Sequence, residues 1–288
     1  MKEVVVLSGK GGTGKTSVVG AFAALAGAKV LSDCDVDAAD LHLLLAPSPV
    51  EEHEFWSGQV AVIDPDKCTR CGLCEEVCRF DAIHDCTVAR TGCEGCGLCA
   101  RVCPAGAIRM RENLAGHWFI SKTRFGPLVH AKLGIAQENS GKLVHLVRQK
   151  AKETASREGL ELTINDGPPG IGCAVISSLS GADLACIVTE PSVSGIHDME
   201  RVLQVCRHFG VPVVVCVNKH DINEDGTRQV EEYCGQQGVP VVAKIPFDTR
   251  VTEAQVQGVP VVEYTSDARL IRPIEDAWKA VSAQLGLP

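Results

Sequence analysis

Val4-Val5-Val6-Leu7-Ser8-Gly9-Lys10-Gly11-Gly12-Thr13-Gly14-Lys15-Thr16 is the stretch that decides the fold. Its four apolar residues stop at Ser8 and a glycine cluster, the pattern of a short buried strand. An Ala-rich helical pattern of about a dozen residues follows Thr16. Strand, complete G-x4-G-K-T run and helix, in that order, make a phosphate-binding loop. The glycines let successive backbone N–H groups point inward, Lys15 reaches the β and γ oxygens, and the Thr16 hydroxyl meets Mg²⁺. Gly9, Lys10, Gly11, Gly12, Thr13, Gly14, Lys15 and Thr16 are the expected nucleotide-binding residues.

Further along, residues 160–164, 185–189 and 211–217 are apolar, largely β-branched runs separated by helix-like stretches. Strands that alternate with helices predict an α/β fold with a mostly parallel P-loop NTPase sheet and flanking helices. Residues 1–59 and 113–288 are expected to build it. The later part includes a helix with Leu143, Leu146, Val147 and Lys150 at helical spacing, whose apolar positions read as core.

The segment between those parts has a different chemistry. Cys68-x2-Cys71-x2-Cys74-x3-Cys78 and Cys93-x2-Cys96-x2-Cys99-x3-Cys103-Pro104 are two triplet-plus-one runs. That spacing suits a pair of [4Fe–4S] clusters: three close thiolates bind one cubane and the fourth, held away, ligates the other. Cys68, Cys71, Cys74 and Cys103 are assigned to one cluster, and Cys93, Cys96, Cys99 and Cys78 to the other. A zinc site would take two C-x2-C pairs and four ligands in all, which fits eight cysteines poorly. Cys86 lacks a ligand spacing and reads as a small buried filler.

Residues 60–111 resemble a bacterial two-cluster ferredoxin, down to Asp64-Pro65-Asp66-Lys67-Cys68 and Cys103-Pro104-Ala105-Gly106-Ala107-Ile108. The resemblance implies a small α+β ferredoxin-like insert at 60–112. Arg79 stands where that pattern carries proline, and a cation there would raise the potential of the nearer cluster.

Lys10, after the first glycine of the loop, resembles the deviant loop of the MinD/ParA/nitrogenase-iron-protein ATPases. There, such a lysine crosses a dimer interface to the partner's nucleotide. The resemblance places Asp35 beside the attacking water, in a first switch that also contains Asp33 and Asp37, although these aspartates would equally cap the helix that follows. It makes Asp166 an Mg²⁺ ligand through water and residues 167–170 a loop sensing the γ-phosphate. Lys10, Lys15, Asp35 and Asp166 are the catalytic residues it implies, with Thr16 and Asp166 at Mg²⁺. Asn218 resembles the adenine-facing asparagine, while Asn-Lys-x-Asp also suits guanine; the deviant loop favours ATP. Pro246 and Asp248 resemble the loop over the base, or a plain strand exit. Cys173, seven residues after Asp166, would bind an interface metal by the same resemblance, or lie buried at a helix start.

Length and composition agree. A chain of 288 residues, 45% hydrophobic, supports a packed α/β core, which at 4% aromatic content must be filled by aliphatic side chains. Fifteen cysteines with no signal-like segment read as metal ligands and buried thiols in a reducing cytoplasm. A net charge of −8 argues against a nucleic-acid partner. The evenly charged helical pattern at 267–285 argues against a membrane-recruiting tail.

Over essentially its full length the chain resembles MinD-superfamily ATPases with an inserted ferredoxin. That implies ATP binding and hydrolysis coupled to electron transfer from two [4Fe–4S] clusters. The expected partners are a second copy or a related ATPase, as homodimer or heterodimer, and a redox or metal-cluster protein. A scaffold or carrier in metal-cluster assembly is the alternative, weakened by the lack of a C-x-x-C in the second half. A positioning ATPase with a decorative insert is the third reading, opposed by the charge and tail arguments.

Overall fold

The computed structural model describes residues 1–134 and 139–287; residues 135–138 and 288, within the span expected to complete the sheet, lie outside them. In chain order the elements are β1 (Lys2–Ser8), α1 (Lys15–Leu25), β2 (Val30–Asp33), α2 (Leu41–Leu45), β3 (Ser48–Ile63), α3 (Leu73–Glu76), β4 (Ile83–His84), β5 (Thr87–Val88), α4 (Leu98–Val102), β6 (Ile108–Thr123), β7 (Gly126–Leu133) and α5 (Ser140–Glu158). There follow β8 (Leu162–Pro169), α6 (Cys173–Leu179), β9 (Leu184–Thr189), α7 (Val193–His208), β10 (Val213–Asn218), α8 (Glu224–Gln236), β11 (Val241–Ile245), α9 (Thr249–Val256), α10 (Val261–Tyr264) and α11 (Ala268–Leu285). The chain divides into two compact units. One comprises Met1–Glu52, Phe119–Ala131 and the chain from Ser140 on; the other comprises His53–Trp118 and Lys132–Asn139.

The first unit is a parallel sheet in the order β11-β10-β9-β1-β8-β2-β7. β1 sits between β8 and β9, so the loop leaving it opens where the strand order reverses, the usual ligand position in such sheets. Alternation along β1 serves two cores. Val4 and Val6 join Phe22 of α1 and Ile274 of α11 on one face, while Val5 and Leu7 join Leu179 of α6 and Leu203 of α7 on the other. The apolar side of α11, from Leu270 to Leu285, is buried in the first of these cores. No helix among the described residues is long and apolar enough to cross a membrane.

Two boundaries differ from the sequence reading. β8 does not stop at residue 164 but runs through Asp166 to Pro169, because Asn165 and Asp166 pair with Val5 and Val6 and Pro169 with Ser8 after a register shift. The stretch before α5 carries strands β6 and β7, joined through the short turn Arg124–Phe125, in which Thr123 Oγ1 donates to the Gly126 carbonyl (2.7 Å).

Below the sheet's loop end lies a buried polar network. The Glu3 carboxylate accepts from Arg148 Nε and Nη2 (2.8 Å each), from Asn165 Nδ2 (2.6 Å) and from Lys152 Nζ (2.8 Å). Arg148 Nη1 donates to the Ser177 and Ser180 carbonyls at the end of α6 (2.6 and 2.8 Å), and Ser32 Oγ donates to Asn165 Oδ1 (2.6 Å).

Lys29 is buried, donates to the Ala26 carbonyl (3.0 Å) and lies over the Phe125 ring. Burial pushes its pKa down to about 8 from 10.5. Between those values the unfolded chain keeps a proton that the folded chain releases, so stability rises with pH across that window. Lys29→Met should therefore be more stable than wild type at neutral pH, with the gap closing as pH approaches 10.5. Parallel urea titrations at pH 7 and pH 10 check this; a gap that widens with pH would refute it.

In the second unit, β3 from His53 on and β6 up to Trp118 are sheet neighbours, and β4 pairs antiparallel with β5. One of its apolar clusters is built from Ala61, Ile83, Cys99 and Ile108, and half of the partly buried residues that pack on it are cysteines.

Candidate functional site

The first unit's site grows from the end of β1. Gly12 and Gly14 take left-handed backbones (φ 79 and 90), and Gly14 caps α1. A Cβ on Gly14 would lie 2.3 Å from Asn218 Nδ2, and one on Gly9 would lie 2.4 Å from Asp198 Cβ, so both places require glycine. Asn218 Nδ2 donates to the Thr13 carbonyl (2.7 Å), tying the loop to the end of β10. The Thr13 hydroxyl is buried and has no hydrogen-bond partner among the described residues.

Gly11 to Thr16 line a cleft of about 820 Å³, with Asp35 and Asp37 on one side and Asn218, Pro246 and Asp248 on another. Gly9 and Lys10 are not among its lining residues. Lys10 Nζ instead meets Glu190 (2.6 Å), Ser192 Oγ (3.1 Å) and Ser194 Oγ (3.0 Å). Glu190 also pairs with Lys219 (3.0 Å). Burial alone would raise the Glu190 pKa, but the two lysines hold it below the usual carboxylate range.

Lys15 is buried against Asp166, with Asp35 at 3.9 Å. Burial opposes its charge, yet Asp166, Asp33 and Asp35 together keep its pKa above the ordinary value. Asp33 is fully buried and its pKa is raised well above normal, first by burial and then by Asp166. Burial pushes Asp35 up to about 6, with Asp166 adding and Lys15 opposing. Three aspartate carboxyls beside Lys15 make its surroundings rich in oxygen.

Asp33 accepts from the backbone N–H groups of Asp35 and Leu41 (3.1 Å each), so its carboxyl satisfies the first N–H of α2, whose N-cap residue is Asp40; Asp35 and Asp37 face the cleft. Asp248 lines the cleft while its carboxylate caps α9 through Arg250 N (2.9 Å) and pairs with the Arg250 guanidinium. Cys173 is exposed rather than buried: it opens α6 and lines the cleft. The sequence reading missed Lys219 and Phe247 as lining residues. Both are sequence neighbours of residues it names, Asn218 and Pro246; Lys219 donates to the Gly12 carbonyl (3.0 Å) from a left-handed backbone, and Phe247 is half exposed.

The second unit sorts its cysteines. Cys68, Cys71, Cys74 and Cys103 line one cavity; Cys78, Cys93, Cys96 and Cys99 line another. All are free thiols. Ala61, Ala82 and Ala107 donate backbone N–H bonds to Cys93, Cys78 and Cys103 Sγ (3.5, 3.4 and 3.3 Å). The two runs repeat locally: Gly72 and Gly97, both left-handed, cap α3 and α4. Among the described residues no three His, Cys, Asp or Glu side chains stand close enough to hold a single metal ion. Cys86 is not a buried filler: it is partly exposed and lines the first cavity with Cys68, Cys71, Cys74 and Cys103. Arg79 is exposed.

Residues 4–261 match the family of the CobQ/CobB/MinD/ParA nucleotide binding domain. An uncharacterized protein of Methanocaldococcus jannaschii is 34% identical over 77% of this chain and 79% of its own length. An iron-sulfur cluster carrier protein of Pyrococcus horikoshii is 30% identical over 36% of this chain and 40% of its own. The septum site-determining protein MinD of Pyrococcus horikoshii, solved with Mg-ADP, shares the fold with a TM-score of 0.59 at 18% identity, covering 97% of this chain and 95% of that one.

Proposed function

The chain belongs to the CobQ/CobB/MinD/ParA nucleotide-binding family, and from that premise we propose that it couples ATP binding and hydrolysis to electron transfer from two [4Fe–4S] clusters to a partner metalloprotein. The observation that carries the redox half is the sorting of eight cysteines into two cavity-lining sets of four, each drawing three members from one run and one from the other. The cross-run sharing is what a pair of cubanes requires, and the corners of a cubane set its ligands further apart than the ligands of one ion. Backbone N–H groups on three of the sulfurs would stabilise thiolates, and a unit whose apolar cluster is lined by cysteines gains folding energy from a bound metal centre. The donor set therefore fits the group; when bound, it supplies one-electron chemistry.

On the nucleotide side, the backbone N–H groups of the cleft-lining residues Gly11 to Thr16 and the orphan Thr13 hydroxyl would meet phosphate oxygens. Lys15 would turn from Asp166 to the β and γ phosphates, leaving Asp166 to hold Mg²⁺ through water, with Thr16 as the direct oxygen ligand. Asp35 would orient the attacking water, Asn218 would face the adenine, and Pro246 and Asp248 would border the base. Lys10 would leave Glu190 to reach a partner's nucleotide in a homodimer or a heterodimer with a related ATPase.

Anaerobic reconstitution with iron and sulfide quantitation, followed by EPR of the reduced protein with and without ATP, tests this reading. About eight iron atoms per chain and two interacting centres are expected. One iron per chain, or a natively folded zinc form, would overturn it. Similarity to the Pyrococcus carrier favours cluster assembly as a second reading. Clusters that leave for an apo-acceptor protein when ATP is added would select it; clusters that stay and cycle would select electron transfer.

A further inference from the structure

The first cavity holds five thiols where a cubane takes four. Cys86 lines it alongside the assigned set, and Cys68 is the first of the neighbours that raise its thiol's pKa. A tight turn delivers it there. β4 and β5 pair with Ile83 opposite Val88 and His84 opposite Thr87, which leaves Asp85 and Cys86 as a two-residue connection with φ 47 and 60. A hairpin loop with both residues left-handed favours Asp-Gly or Asn-Gly. Cysteine in the glycine place carries a strain of roughly 1–2 kcal/mol. The second cavity is lined by its four assigned cysteines alone, and the position of the second run that corresponds to Cys86, by the spacing of Cys68 and Cys93, is Arg111. One site thus has a spare sulfur and its sequence repeat does not.

Resting on the two-cluster reading above, we propose that Cys86 is an exchangeable fifth ligand of the first [4Fe–4S] site, taking the iron corner otherwise held by Cys68. In the exchange the Cys86 Sγ–Fe bond forms as the Cys68 Sγ–Fe bond breaks. The proton released by the Cys86 thiol passes to Cys68, and no electron moves. Exchange makes this the site that tolerates loss of a ligand, whereas the second site depends on all four of its cysteines.

The test uses the full chain, reconstituted anaerobically, with iron and acid-labile sulfide per chain and EPR of the reduced form as readouts. Wild type should hold about eight iron atoms and Cys68→Ala should keep them, whereas Cys68→Ala combined with Cys86→Gly should fall to about four. Glycine suits the turn, so the second change does not itself disturb folding. Cys71→Ala should fall to about four even with Cys86 present, since Cys86 lies beside Cys68. A Cys68→Ala protein that loses as much iron as Cys71→Ala overturns the exchange while leaving the two-cluster reading intact. A wild type with no iron–sulfur centre overturns both. Alkylation of the wild-type holoprotein, mapped by mass spectrometry, gives an answer independent of the variants' folding. Exchange labels Cys86 and Cys68 both, with Cys71, Cys74 and Cys103 protected; labelling confined to Cys86 refutes it.

Discussion

Arg148→Met should lower the unfolding free energy by about 3–5 kcal/mol, the cost of removing one partner from a buried ion pair. Arg148 and Glu3 are both nearly inaccessible, and the guanidinium meets the carboxylate with two parallel hydrogen bonds. Methionine fills a similar volume, but it strands Glu3 with Lys152 and Asn165 and removes the donor that satisfies two carbonyls at the end of α6. The double variant Glu3→Met with Arg148→Met should cost clearly less than the two single losses together, since neither charge is then left behind. Urea unfolding with an unchanged denaturant slope measures this. A loss below about 1 kcal/mol would put the pair among surface ion pairs and refute the assignment.

Lys15→Ala and Lys10→Ala should part company in nucleotide binding. Lys15 lies in the cleft lining, and losing even one charge-assisted hydrogen bond to a phosphate costs about 1.5–3 kcal/mol, or roughly 10- to 150-fold in affinity. Lys10 is held outside the cleft lining by Glu190, Ser192 and Ser194. Its alanine variant should bind nucleotide within about twofold of wild type and lose ATP-promoted association and hydrolysis instead. Titration with a fluorescent nucleotide and light scattering in ADP, ATP and a non-hydrolysable analogue separate the two outcomes. Equal losses of affinity in both variants would show that Lys10 serves its own chain's nucleotide.

The sequence made the centre of the first unit legible because a phosphate loop states its own geometry: glycines at left-handed places, a lysine and a threonine at fixed distances from them. Asp33 shows where that legibility stops. Its spacing from Asp35 and Asp37 suited either capping or a switch, and only the pairing of β2 with β8 shows which aspartate turns toward Leu41 and which toward the cleft. β6 and β7 were missed because their residues mix apolar and charged types without a clean alternation, and their pairing is set by neighbours distant in sequence. Cys86 was misread for a related reason: strands of two residues are too short to show a period, so the turn that carries its thiol had no local signature.

The burial of cysteines in the first unit bears on handling. Cys34, Cys186, Cys206, Cys216 and Cys234 are buried, and their surroundings push the thiols of Cys34 and Cys206 up to about 12 and that of Cys234 up to about 11. Thiols so protonated are poor nucleophiles and resist oxidation, whereas Cys71, Cys96 and Cys173 are exposed. Air would strike Cys71 and Cys96 of the cysteine-rich unit and Cys173 at the cleft first, and spare the thiols buried around the sheet. An aerobic preparation would then look healthy by circular dichroism after its exposed sulfur chemistry had been destroyed, and thiol counting against an anaerobic control would reveal the loss.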